Sequence, residues 1–262
     1  MEFDEKINSP RNDRIVSIHI KKTAGTSVYV FFKQIYGDKN IYLYYPTLGG
    51  LFRADKDPIG KLRNVPVLVK LKRVFRSTRL GKYVYEQLNN LIKPPTLIPI
   101  DEGKAKIALP NKFAVAHGHF HPKSFNLKGI RLITIVRDPL QRAVSHYFWY
   151  KSVIKQGHHK VPSWFTKNMS FEDYAMHTAN YQTRFLNNLR PESFYYIGVT
   201  EYLESFSLKF DPTGKHKIKH LNVGDKYPAL NLTKNFLKKF RKLNKQDYEF
   251  YNAALKLNGV IS

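Results

Sequence analysis

Four short runs of the chain are apolar almost without interruption: residues 14–20 (RIVSIHI), 113–117 (FAVAH), 130–136 (IRLITIV) and 194–200 (FYYIGVT). Runs of this length, rich in β-branched residues and without polar alternation, predict strands buried on both faces. Between and after them the pattern changes to helical. SVYVFFKQIYG is apolar and aromatic and ends at Gly37, a helix with a glycine stop. RDPLQRAVSHYFWYK opens with Asp138 as a predicted N-cap and Pro139 at the first helical position. EYLESFSLKF reads as the helix after the fourth strand. Strands alternating with helices predict an α/β fold, a central parallel β-sheet flanked by helices.

Two stretches fit this alternation less well. Residues 46–112 carry Pro and Gly clusters around a basic block, in which 61–82 holds eight Lys/Arg and no acid. Val67, Leu71, Val74 and Phe75 fall there at helical spacing, so an amphipathic basic helix is expected within an insertion beside the core. The part from Lys215 onward is basic and rich in Asn and Tyr, and reads as part of the same domain. The expected organisation is thus a tail over 1–13 and one domain over 14–262 that includes the insertion.

Composition sharpens the question of partners. The 262 residues include 44 Lys+Arg against 20 Asp+Glu, a formal net charge of +24, and no cysteine. The absence of cysteine excludes disulfides, thiolate zinc sites, iron–sulfur clusters and thiol nucleophiles. No run of some 18 or more apolar residues occurs, and MEFDEKINSPRNDR lacks the apolar stretch of a signal peptide. The charge calls for a polyanion, a phosphate-bearing ligand or an acidic membrane surface.

Candidate chemistry lies in two loops. Lys21-Lys22-Thr23-Ala24-Gly25-Thr26-Ser27 joins the first strand to its helix, where free N–H groups and the helix dipole converge on anions. Gly25 permits close backbone approach, Thr26 and Ser27 offer hydroxyls, and Lys22 a mobile charge. The lysine precedes the glycine, unlike the Walker order. A capped helix start with two solvated lysines is the plainer alternative. Arg137 ends the third strand, with Ser145 eight residues on, about two helical turns. Together they can fork onto a phosphate, or Arg137 can pair with Asp138 or another acid while Ser145 merely packs. Among ten histidines, His117, His119 and His121 in AHGHFHP stand out after a strand. On an extended segment the three could share a face and hold zinc, although no neighbouring carboxylate or cysteine completes a site. His19 reads as a hydrogen-bonded core residue.

Taken together, KKTAGTS after a strand and ITIVRDPLQRAVSHY over a hundred residues later resemble the carbohydrate sulfotransferases that use 3′-phosphoadenosine-5′-phosphosulfate (PAPS), and most of all the branch of hexuronyl 2-O-sulfotransferases and their bacterial relatives. His117-Gly118-His119-Phe120, NYQTRFL around Asn180–Leu186, IGVTEYLESF from Ile197 and HLNVGDK from His220 echo it, so that the likeness runs over roughly 14–256. The resemblance implies a P-loop-like sulfotransferase fold. The first loop, Lys21 to Ser27, would grip the 5′-phosphosulfate, Arg137 and Ser145 the 3′-phosphate, with Lys226 as a further candidate. His119 would act as base, His117 as a supporting or substrate-contacting group, and Lys22 would stabilise charge on the departing phosphate without a metal. Where the family has a proline this chain has Lys21, which adds a cation and removes a rigid φ. The implied activity is transfer of a sulfuryl group from PAPS to a hydroxyl of a carbohydrate, an anionic glycan, leaving PAP. The family's animal members sit behind a membrane anchor, so the lack of one here implies a bacterial, cytoplasmic enzyme.

Two other classes compete. Net charge and aromatic content also suit a nucleic-acid-binding protein, although no zinc-finger, helix-turn-helix or RNP pattern occurs. The 61–82 block also suits a polyanion- or membrane-surface-binding protein without catalysis, or a peripheral membrane contact of the enzyme.

Overall fold

The computed structural model describes residues 14–45, 50–56, 98–99, 109, 113–122, 127–156, 161–219, 221 and 230–261. The 61–82 block and Lys226 lie outside them. All four predicted strands form, each shorter than its apolar run: β1 (Ile15–Ile18), β5 (Val115–Gly118), β6 (Arg131–Val136) and β7 (Tyr196–Val199). A further strand, β2 (Ile41–Tyr45), follows the first helix, and β3 (Gly50–Arg53) and β4 (Ile98–Pro99) come from the insertion. The sheet order is β4-β3-β2-β5-β1-β6-β7. Neighbours from β2 through β7 run parallel, whereas β3 and β4 add antiparallel at one edge. The architecture is α/β, as the alternation predicts. The insertion corrects that picture in one respect: its described part continues the sheet rather than standing beside it.

Both faces of the sheet are covered, for the reason the unalternating strands suggest. Along β6, Leu132 and Val136 join one core cluster and Ile133 and Ile135 the other. The second cluster is closed by α1 (Gly25–Tyr36) through Val28, Phe31 and Phe32, and by α5 (Leu203–Phe210) through Leu203 and Phe206. The first is closed by the C-terminal helix α7 (Lys245–Leu257) through Phe250, Tyr251, Ala254 and Leu255. A third, largely aromatic cluster joins α2 (Pro139–Lys155), α3 (Phe171–His177) and α6 (Lys234–Leu243). A short helix, α4 (Tyr181–Phe185), lies between α3 and β7 in the chain.

Local signals act as the sequence suggests at two helix ends. Asp138 accepts the Gln141 N–H at 2.9 Å with Pro139 at the first position of α2, and Gly37 closes α1 at φ 72°. Two starts are displaced. The first helix begins at Gly25, inside the predicted loop, and a 3-10 turn over Thr200–Tyr202 precedes α5. Among the described residues no helix is long and apolar enough to cross a membrane.

Candidate active site

The three central strands β5, β1 and β6 end side by side at one edge of the sheet, where ligands of open parallel sheets bind. The loop after β1 is bent. Lys22 and Ala24 take left-handed backbone (φ 71° and 60°), an uncommon state for non-glycine residues that stores strain. Ala24 is the N-cap of α1 but has no side chain to cap it, and the first turn holds no acid, so the N-terminal N–H groups of a twelve-residue helix face this edge. Thr23 is buried and its hydroxyl donates to Ile20 O at 2.8 Å, tying the loop to itself. Thr26 is exposed. Ser27 is buried and its Oγ accepts from the Leu221 N–H at 2.9 Å, which brings the beginning of the HLNVGDK segment onto the loop.

The need for Gly25 is steric. A Cβ there would lie 2.0 Å from ring atoms of His19, because that imidazole rests on the Gly25 backbone. His19 is therefore more than a core residue of β1. It follows the strand and stacks on His119 (centroids 4.1 Å apart) and on His117 (5.4 Å), with Tyr29 beyond His117 at 6.5 Å. Burial, followed by the charges of His119, His117, Lys22 and Lys21, holds His19 well below the ordinary histidine pKa.

The three histidines of AHGHFHP do not share one face. His117, on β5, is buried and hydrogen-bonds Ser17 Oγ at 2.9 Å and the backbone of Gly25, so it links β5, β1 and α1. His119 lies just past the strand, with Nδ1 2.5 Å from His19 O. A carbonyl can only accept, so Nδ1 carries the proton and Nε2 of the neutral ring presents a lone pair. Among the described residues nothing bonds Nε2. His121 is exposed, with Nδ1 at 3.2 Å from Phe185 O. Among the described residues no group of three or more His, Asp or Glu is placed to hold a metal.

Arg137 follows the last residue of β6 with its guanidinium part-buried; Nε lies 3.8 Å from Glu201 Oε1 and has no hydrogen-bond partner among the described residues. The pairing with a neighbouring acid is thus made to Glu201 rather than Asp138, and only as an ion pair. Lys21 and Lys22 are both shifted down, chiefly by burial, and Arg137 is the charge that adds to the shift of Lys22. The two loops, far apart in sequence, therefore share one electrostatic site. Ser145 is buried two turns into α2.

Sequence reasoning passed over two residues on that same helix. Arg142 is 1% exposed, with Cζ 4.3 Å above the Tyr181 ring and with Nε and Nη1 lacking hydrogen-bond partners among the described residues. His146, one turn on, is fully buried; its Nδ1 pairs with the Tyr174 hydroxyl at 2.9 Å and its Nε2 has no partner among the described residues. The rings of Tyr181 and Phe185 connect this pair to His119. The i, i+4 spacing of Arg142 and His146 was legible, but inside an aromatic helix it reads equally as surface.

The imidazoles carry a consequence for stability. Burial lowers His117 to about 3, His119 to about 4 and His146 to about 2, with the Arg142, Lys21 and Lys22 charges adding to the last. The unfolded chain binds protons on these rings below about pH 6.5, whereas the folded one does so only near the lowered values. Their contribution is therefore intact above pH 6.5 and is lost as pH falls, by about 1.4 kcal/mol per pH unit for each group. Urea unfolding at pH 7.5, 6.5 and 5.5 should show little change across the first step and a clear fall across the second, and His146→Gln should flatten that fall by one group's share.

No family model matches the chain, and comparison with curated proteins finds no match. Among solved structures it is similar to retinol dehydratase in complex with retinol and PAP, at 12% identity over 95% of this chain and 82% of that one, with a TM-score of 0.38. It is likewise similar to retinol dehydratase in complex with androsterone and inactive cofactor PAP, at 13% identity over 95% and 82%, TM-score 0.39. Likeness at this level assigns no activity to the chain.

Proposed function

We propose that this protein transfers a sulfuryl group from PAPS to a hydroxyl of a carbohydrate acceptor, an anionic glycan. The observation that carries the reading is the convergence at one sheet edge of Lys22, the uncapped start of α1, Arg137 Nε and His119 Nε2, both without a hydrogen-bond partner among the described residues. Lys21, Lys22, Arg137 and the amide donors, with Glu201 near Arg137 only at ion-pair distance, suit a ligand with several phosphate or sulfate charges, and the part-buried Arg137 Nε, without a hydrogen bond among the described residues, gains one when an anion meets it. The residues present suit the donor: the loop offers Lys22 and the first amides of α1 to a 5′-phosphosulfate, and Arg137 offers hydrogen bonds to a 3′-phosphate.

When bound, PAPS supplies the sulfuryl group, whose bond to the 5′-phosphate oxygen breaks as the bond to the acceptor oxygen forms. His119 Nε2 takes the acceptor's hydroxyl proton as that bond develops. The His19 carbonyl keeps the proton of the neutral ring on Nδ1 and so aims Nε2 outward. Lys22, with the amides of Gly25, Thr26 and Ser27, stabilises charge gathering on the departing phosphate oxygen. Lys21 adds a second cation beside His119, and His117 holds β1, β5 and the loop in register. The buried Arg142 supports an acceptor that is itself anionic.

Calorimetry with PAP tests the donor site. Wild type should bind it, and Arg137→Ala should weaken binding by roughly ten- to hundredfold through loss of a charge-assisted hydrogen bond. Isotope-labelled PAPS offered with a panel of acidic and neutral glycans then tests the transfer. Absence of PAP binding by wild type overturns the reading.

A further inference from the structure

At the end of β6 the backbone leaves the sheet, and its polar groups lose their strand partners. Side chains replace them one by one. Thr200 Oγ1 donates to Val136 O at 3.0 Å. The Gln182 carboxamide takes both groups of the next residue, its Oε1 accepting from Arg137 N at 3.0 Å and its Nε2 donating to Arg137 O at 2.9 Å. Glu201 Oε1 accepts from Asp138 N at 3.2 Å. Gln182 thus acts as a one-residue strand alongside Arg137, and it is 1% exposed.

Gln182 is itself anchored. Asp247, in the first turn of α7 and 1% exposed, accepts from Gln182 N (3.0 Å), Thr183 N (2.8 Å) and Thr183 Oγ1 (2.9 Å). Asn180, left-handed at φ 49°, returns its Oδ1 to Asp247 N at 3.2 Å, while its own N–H is held by Asn244 Oδ1 at 3.0 Å. The C-terminal helix therefore reaches Arg137 through two buried polar side chains with every contact made by a hydrogen bond. The guanidinium has no comparable restraint, since Glu201 approaches Nε only to 3.8 Å. Its direction follows from the backbone conformation that Gln182 holds, because side-chain rotamers depend on φ and ψ.

We propose that Gln182 is a positioning residue for Arg137, with Asp247 as its anchor, so that the C-terminal helix sets the affinity of the anion site formed by Arg137. This rests on the assignment of Arg137 to the 3′-phosphate of the donor. It gives the NYQTRFL segment a role that neither loop supplies.

The test compares two probes by calorimetry: PAP, and adenosine 5′-monophosphate, which lacks the 3′-phosphate. In Gln182→Met, PAP affinity should fall about tenfold while adenosine 5′-monophosphate binding stays within twofold, as expected for charge-assisted bonds lost at one phosphate. The double variant Arg137→Ala/Gln182→Met should bind PAP no more weakly than Arg137→Ala, since coupled residues are not additive. If Gln182→Met does not fold, Asp247→Asn leaves the carboxamide in place, slackens its anchor, and should show the same PAP-selective loss in smaller measure. Equal weakening of both probes, or losses that multiply in the double variant, overturns the proposal and leaves the donor assignment standing. Failure of wild type to bind PAP overturns both.

Discussion

His119→Ala should lower the rate of sulfuryl transfer by roughly a hundred- to ten-thousandfold, the usual span for removal of a positioned general base, while PAP affinity stays within about twofold. The split follows from placement. His119 lies past the end of β5 with no partner on Nε2 among the described residues, whereas the groups proposed to meet the donor's phosphates come from the β1 loop and from Arg137. The lowered pKa, about 4 and caused chiefly by burial, means that the ring is neutral and able to take a proton throughout the neutral range. Binding of a polyanionic donor beside Lys21 should raise that value, because the charge that helps to depress it is then compensated. Rates with labelled donor, PAP calorimetry and nitrogen-15 spectra of the imidazoles with and without PAP check these points. Full activity in His119→Ala would remove histidine from the role of base.

Gly25→Ala should be strongly damaging. The added methyl would sit 2.0 Å from the His19 ring, and that ring has little room to retreat, being stacked against both His117 and His119. Overpacking of this kind costs about 1–3 kcal/mol, which for a domain of this size lowers the melting temperature by roughly 2–10 °C. Displacement of His19 also moves the carbonyl that orients His119 and the start of α1, so PAP binding and transfer should both fall at least tenfold. Gly37→Ala is the control. Its φ is positive, 72°, but nothing lies within 4 Å of the added carbon. It should cost about 1–2 kcal/mol of backbone strain and leave PAP affinity unchanged. Comparable loss of PAP binding in both variants would show that the His19 contact is not what the site requires.

Most of the sheet could be read from its strands. The unbroken apolar runs of β1, β5, β6 and β7 imply burial on two faces, and that in turn implies parallel strands between helices. Helix ends were legible where a local group dictates them, as at Asp138-Pro139 and Gly37. The edge strands β3 and β4 were not, because they are short and draw their pairing from a neighbour rather than from a pattern of their own. Within the site, the lysine loop, Arg137 and the histidines could be picked out by residue type and by their position after strands.

What the amino-acid sequence determined by itself is therefore the class of fold and a set of charged candidates, since both depend on local pattern and composition. Their grouping was decided by tertiary structure. Lys22 and Arg137 become neighbours because β1 and β6 pair, and His119 meets His19 because β5 pairs on the other side. His19 changes from a core residue to the centre of a stack, and Gly25 from a flexible position to one where a side chain cannot fit. Gln182 and Asp247 carry no local mark of their task, because it consists of hydrogen bonds to backbone many residues away. Strand pairing and side-chain-to-backbone bonds are long-range events, and a one-dimensional pattern holds no record of which distant groups they bring together.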